Sequence, residues 1–162
     1  MSKLAGMRIL SDPTAVAAAA ADLFIESAGH SVEDHGEFNV CLSGGSTPKA
    51  VYELLAAAPR VEQVPWHKVR FYFGDERCVP PDHPDSNYGL ARRALLDHVR
   101  HCANCVYRME GERDPQAAAI DYGRLLVEKF GKGWPRFDLV FLGMGDDGHT
   151  ASLFPGTAAL HE

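Results

Sequence analysis

Leu139-Val-Phe-Leu-Gly-Met-Gly-Asp-Asp-Gly-His-Thr-Ala-Ser-Leu-Phe-Pro-Gly156 is the stretch whose reading decides the fold. Its first four residues are apolar, and the run then breaks into glycines, two aspartates and a histidine. A short apolar run bounded by turn signals reads as a buried strand of a parallel sheet. In open α/β sheets, ligands bind just beyond the carboxyl ends of such strands. His149 therefore stands where chemistry is expected, with Asp146 and Asp147 beside it.

Outward from that stretch, strands and helices alternate. Residues 38–43 read as a buried strand broken by Gly44 and Gly45, and residues 69–73 as another. Residues 7–10 and 105–109 are shorter strand candidates. Asp12-Pro13 and Asp114-Pro115 each open a helix, with Asp as N-cap and Pro in the first turn. The first of these helices is expected to reach about residue 27 and stop near Gly29, the second to reach Phe130. Thr47-Pro48 reopens a helix over 49–58, with Val51, Leu54 and Leu55 on one face, and 88–99 is a further helix. Between the second strand and that helix lies a polar loop, 74–87, with three prolines, and long loops in compact domains tend to be functional. This order predicts an α/β fold with three layers, αβα, around a mainly parallel sheet joined by right-handed crossovers. Residues 1–162 read as one such domain, without repeats, linkers or low-complexity tracts.

Composition narrows the class. An apolar share of 46% and a charged share of 23% are ordinary for a globular protein. A net charge of −6 argues against nucleic acid or an anionic membrane as the main partner, while leaving room for an anionic small substrate at a local site. No segment has the length of a membrane span, and the N-terminus lacks the apolar core of a signal peptide. Cys41, Cys78, Cys102 and Cys105 are too few and scattered for a disulfide scaffold, so a reduced, cytoplasmic protein is expected. Oligomeric state is not legible, and a homo-oligomer stays open.

Three loops carry chemistry. Ser43-Gly-Gly-Ser-Thr-Pro48 joins a strand to a helix; glycine backbone amides, a helix N-terminus and two hydroxyls suit a phosphate. The same residues read equally well as a tight turn with a Ser/Thr cap. They match neither the nucleotide-hydrolase loop nor a serine-nucleophile elbow. Gly143-Met-Gly145-Asp-Asp-Gly148 has the letters of a dinucleotide motif. Its aspartates would face the pyrophosphate, and Pro155 interrupts the helix that should follow. His149 among carboxylates at a strand end favours a general base, with Asp147 placed to hold its tautomer. Asp75-Glu76-Arg77 also follows a strand directly; alone it reads as a solvated charge cluster. His98-x-x-His101-Cys102-x-x-Cys105 raises a zinc hypothesis, weakened by its straddling a helix end without a second cysteine pair.

In order, and each after a strand, the 43–48 turn, the 74–88 loop and the 143–156 stretch resemble the 6-phosphogluconolactonase family. That family belongs to the superfamily shared with glucosamine-6-phosphate isomerase/deaminase. The isomerases carry Asp-Glu-Tyr where this chain has Asp75-Glu76-Arg77, and Ile-Ala-Phe-Asn where it has Thr150-Ala-Ser-Leu. Both differences favour the lactonase and leave the aldose–ketose isomerase as the alternative. The resemblance implies hydrolysis of 6-phospho-D-glucono-1,5-lactone in the oxidative pentose phosphate pathway, without metal or organic cofactor. It implies His149 as base, Asp147 as its orienting partner, Arg77 as the cation beside the carbonyl and Asp75 as an organiser of the Arg77 loop. In the isomerase Asp75 would instead shuttle a proton. The phosphate would sit on Gly44, Gly45, Ser46 and Thr47.

Family members continue past the Phe-Pro-Gly motif, so the resemblance implies a C-terminally truncated chain. Its open sheet edge would then make it marginally stable, aggregation-prone and weakly active or inactive. A sugar-phosphate-binding module would be indifferent to His149→Ala, and a purely structural fragment would bind no sugar phosphate.

Overall fold

The computed structural model describes residues 7–161. Helix α1 spans Pro13–His35, with the Asp12 carboxylate accepting from the Ala15 amide as N-cap. It runs further than its composition predicted because Gly29 sits in ordinary helix, while Gly36 adopts the left-handed φ of 89° that ends it. Its buried residues Ala17, Ala21, Phe24 and Ala28 recur every three or four positions, giving one continuous face for the sheet. The expected strand at 7–10 does not form: Met7 and Ile9 are 88% and 87% exposed and pair with no strand.

Strand β1, Phe38–Leu42, is buried throughout and pairs in parallel with β2, Val69–Phe73, from Phe38↔Val69 to Leu42↔Phe73. On its other side β1 pairs in parallel with β3, Leu139–Val140, giving the order β2-β1-β3. A lone parallel bridge, Phe71↔Val106, replaces the expected strand at 105–109. Alternation along β1 and β2 sends Phe38, Val40, Leu42, Val69, Phe71 and Phe73 into one core with α1 and α2, Ser46–Ala56. On the opposite face Tyr72 packs on Phe130 and Phe137, and helix α4, Pro115–Phe130, lies there with Asp114 as N-cap. The three-layer α/β prediction therefore holds. Helix α3, Asn87–Ala94, is shorter than predicted, breaking at Leu95 into a 3-10 turn, Leu96–His98.

The decisive strand differs from its reading in one respect. β3 is an edge, with Val140 42% and Leu142 67% exposed, rather than a buried central strand. Its apolar run is written for burial on both sides, and among the described residues nothing pairs beyond it.

Candidate active site

Because all three strands run the same way, their carboxyl ends bring the three loops to one end of the sheet. Two buried tyrosines fix the exits of β1 and β2. Tyr52 of α2 donates its hydroxyl to the Ser43 carbonyl at 2.8 Å and accepts from the Ser43 amide at 3.1 Å. Tyr122 of α4 repeats this on Phe73, 3.0 Å to both carbonyl and amide. Burial pushes both phenols well above their ordinary range, so they remain neutral donors. Sequence reading missed both, since a tyrosine on an apolar helix face looks like core.

Between the loops lies a cavity of about 250 Å³ lined by residues 43–48, Asp75, Arg77, Asn87, residues 143–145, His149 and Ala151. All four predicted phosphate-cradle residues face it. Gly45, with φ 107°, precedes the first turn of α2 and offers no capping side chain, leaving that turn's amides for a ligand.

His149 Nδ1 lies 2.5 Å from Asp147 Oδ1, which also accepts the His149 amide at 3.2 Å. Those two contacts hold the Asp147 carboxyl below the ordinary carboxylate range. The imidazole stacks on Phe154, ring centres 4.3 Å apart. Gly145 is required here, since a Cβ on it would collide with the His149 ring. The turn closes through Gly145 N–H to the His149 carbonyl at 2.8 Å and Thr150 Oγ1 to the Gly143 carbonyl at 2.9 Å. Asp146 is exposed on that turn and does not line the cavity.

Asp75 accepts from Asn87 Nδ2 at 3.1 Å on one oxygen and from Ser152 Oγ at 2.7 Å on the other. Ser152 thus ties the third loop to the second. Asn87 is 5% exposed, and its Oδ1 occupies the space that a Cβ on Gly44 would need. Glu76 turns inward: its oxygens accept the amides of Arg77, Asn87 and Tyr88 and the Ser86 hydroxyl. Arg77 borders the cavity, and among the described residues its guanidinium has no hydrogen-bond or ion-pair partner. Sequence reading had placed Glu76 in a charge cluster and had not singled out Asn87 or Ser152; only the loop's closure reveals them.

The residues of the zinc hypothesis are engaged elsewhere. His98 Nε2 bonds the Arg93 carbonyl and His101 Nδ1 the Cys102 carbonyl, and the Cys102 and Cys105 sulfurs are joined to each other. Among the described residues no three His, Cys, Asp or Glu side chains are grouped to hold a metal. Cys41 and Cys78 are free.

Comparison with known proteins accords with this geometry. The family described as glucosamine-6-phosphate isomerases/6-phosphogluconolactonase matches residues 11–162. The chain belongs to that family. It is 42% identical over 158 residues to a 6-phosphogluconolactonase of Nostoc sp., covering 95% of this chain and 64% of the relative. Against the Haemophilus influenzae 6-phosphogluconolactonase it is 44% identical over 117 residues, 72% of this chain and 50% of the relative. The solved 6-phosphogluconolactonase of Trypanosoma cruzi superposes with a TM-score of 0.79 at 32% identity, covering 93% of this chain and 62% of that one. The chain thus spans between half and about two thirds of the length of these family members. No described helix is long and apolar enough to cross a membrane.

Proposed function

We propose that this chain carries the catalytic end of a cytoplasmic 6-phosphogluconolactonase, hydrolysing 6-phospho-D-glucono-1,5-lactone to 6-phospho-D-gluconate in the oxidative pentose phosphate pathway. The observation that carries the reading is His149, held by Asp147 from outside the cavity and lining it together with the Gly44–Thr47 turn and Arg77. With Nδ1 engaged by Asp147, Nε2 is the nitrogen left to take a proton from water as it attacks the lactone carbonyl. The ring then returns that proton to the departing ring oxygen, a positioned transfer typically worth about 10²- to 10⁴-fold. Asp147 holds the ring and stabilises its charged form. Arg77 offsets the negative charge growing on the carbonyl oxygen, a contribution of about 3 kcal/mol if preorganised.

The phosphate binds at Gly44, Gly45, Ser46 and Thr47, fixing the sugar ring so that attack at its other end is effectively unimolecular. Asp75 organises rather than reacts. Both of its oxygens are engaged, by Asn87 and Ser152, which supports the lactonase over an isomerase needing that carboxylate as a free proton shuttle. The test is hydrolysis of freshly generated lactone, corrected for spontaneous hydrolysis, by the chain and by His149→Ala. A rate above background that is lost in the variant is expected. Equal rates above background refute the assignment of His149; if neither protein exceeds background, the comparison is repeated with the C-terminal segment of a relative appended, and equal rates there refute it.

A further inference from the structure

The geometry points to a reversible dithiol–disulfide site at Cys102 and Cys105, assisted by Arg70, that exchanges with low-molecular-weight thiols and disulfides. The site lies apart from the cavity, flanking the amino-terminal half of β2. The two Cα atoms are 5.4 Å apart, inside the range a disulfide spans. The turn that brings them together stands on its own hydrogen bond, Cys105 N–H to the Cys102 carbonyl at 3.3 Å. Flanking bonds Phe71 N–H to the Cys105 carbonyl and Tyr107 N–H to the Phe71 carbonyl, both 2.8 Å, anchor it to β2. The backbone is therefore held for pairing by contacts that do not involve the sulfurs, and both redox forms fit one chain path.

The two sulfurs are not equivalent. Cys105 is 1% exposed, whereas Cys102 is half-buried and reachable. Arg70 Nη1 lies 3.1 Å from Cys105 Sγ and 3.9 Å from Cys102 Sγ. Its guanidinium also faces Glu37, 3.5 Å from Nε, and the His101 ring packs edge-on against Phe71 beside the pair. A cation beside a sulfur favours its thiolate. In reduction, an external thiolate attacks Cys102 Sγ, the sulfur–sulfur bond breaks, and its electron pair leaves on Cys105 beside Arg70. A second external thiol then releases Cys102, so two thiols become one small disulfide and the protein gains two thiols. Oxidation by a small disulfide such as glutathione disulfide runs the same exchange backwards. Burial pushes the Cys41 thiol up to about 12, which keeps it out of this exchange, and exposed Cys78 has no neighbouring cysteine partner.

Trypsin cuts after Arg100 and Arg108, so one peptide carries both sulfurs while Cys41 and Cys78 fall elsewhere. The folded chain is equilibrated with glutathione and its disulfide at a series of ratios, alkylated and mapped by mass. The expected result is that the 101–108 peptide passes between doubly alkylated and internally bridged, while Cys41 stays alkylatable after unfolding. Cys105→Ser should hold a glutathione adduct on Cys102, and Cys102→Ser should hold none on Cys105. Arg70→Gln should slow reduction roughly three- to tenfold through the poorer leaving thiolate, with Arg70→Lys restoring much of the rate. The proposal is overturned if both cysteines stay alkylatable at every ratio, or if either pairs instead with Cys78. An adduct on Cys105 alone, or an unchanged rate in Arg70→Gln, overturns the roles given to Cys102 and Arg70. The wild-type peptide map decides the main question even if a variant fails to fold.

Discussion

Replacing Glu76 by alanine tests whether the 74–87 loop is held by one inward carboxylate. Oε1 accepts the Arg77 amide at 2.8 Å and the Asn87 amide at 2.7 Å, and Oε2 accepts the Tyr88 amide at 2.9 Å and Ser86 Oγ at 3.1 Å. Asn87 and Tyr88 begin α3, and Ser86 caps it by accepting the Gly89 amide at 2.9 Å, so Glu76 and Ser86 together satisfy the first turn. A bond to a charged acceptor contributes about 1.5–3 kcal/mol, but water reaches part of this loop and the four bonds are not additive. Ser86 and Asn87 are buried, so their share is not recovered from solvent. The expected loss for Glu76→Ala is about 3 kcal/mol, or roughly 6–12 °C in Tm for a chain of this length. Glu76→Gln keeps the shape and one carbonyl oxygen but turns an amino group toward donors, and should fall between the two. Because Asn87 Nδ2 holds Asp75, kcat/KM for lactone should drop alongside Tm. Thermal unfolding by circular dichroism reads the first effect and lactone hydrolysis the second. A Glu76→Ala protein within about 2 °C of the wild type, with unchanged kcat/KM, would refute this account of the loop.

Gly145→Ala should leave the fold intact by circular dichroism while cutting lactone hydrolysis by about 100-fold or more, because its methyl group displaces the His149 ring from Asp147. Tyr122→Phe removes both bonds at Phe73 and should cost about 1–3 kcal/mol in urea unfolding, with KM and kcat both disturbed by the looser β2 exit. The Arg108 guanidinium holds the Glu112 carboxyl down at about 2, below its ordinary 4.5. A depressed folded-state value stabilises above the unfolded one, so this contribution is complete above about pH 4.5 and fades as pH falls toward 2. Solvent screening at this partly exposed pair keeps it to about 1 kcal/mol or less, and Glu112→Gln should lose it at pH 7 but converge with wild type near pH 2. Val140→Lys on the open edge of β3 should lower concentration-dependent light scattering without shifting Tm downward.

The sequence carried the layer architecture because helix starts and strand ends are local events. Asp12-Pro13 and Asp114-Pro115 cap the helices where they were read, and the abrupt polar stop after Phe73 marks a real exit. Termination was less legible: Gly29 resembles a stop, but the buried Ala28 and the packed Val32 continue the core face through it to Gly36. The strand reading at 7–10 failed because two exposed apolar side chains mimic a strand that has no partner. The Ser43–Pro48 turn and the His149 loop stood out in the sequence because glycines and polar residues follow an apolar run directly in each. Asn87, Ser152, Tyr52 and Tyr122 did not, since each acts on a group 9 to 77 positions away that only the folded chain brings near.

The meeting of the three loops follows from how the sheet is built. β1 lies between β2 and β3, so the loops leaving all three ends must share one rim. A rim of glycines and polar residues is a poor structural material, with little apolar area to bury and much backbone freedom to lose. The molecule compensates from both helical layers: Tyr52 from one face and Tyr122 from the other grip the first residue past β1 and the last residue of β2. Asn87 then bridges Asp75 to the Gly44 turn, and Ser152 bridges Asp75 to the His149 turn. Asp75 is thereby the junction of the three loops. Asp75→Ala tests this, because it removes both acceptor oxygens at once and leaves Asn87 Nδ2 and Ser152 Oγ without their shared partner. Lactone KM and kcat should both worsen while the His149–Asp147 pair, followed through the imidazole NMR signals, persists. An Asp75→Ala enzyme with an intact KM and a lost kcat would instead make Asp75 a participant in the proton transfer itself.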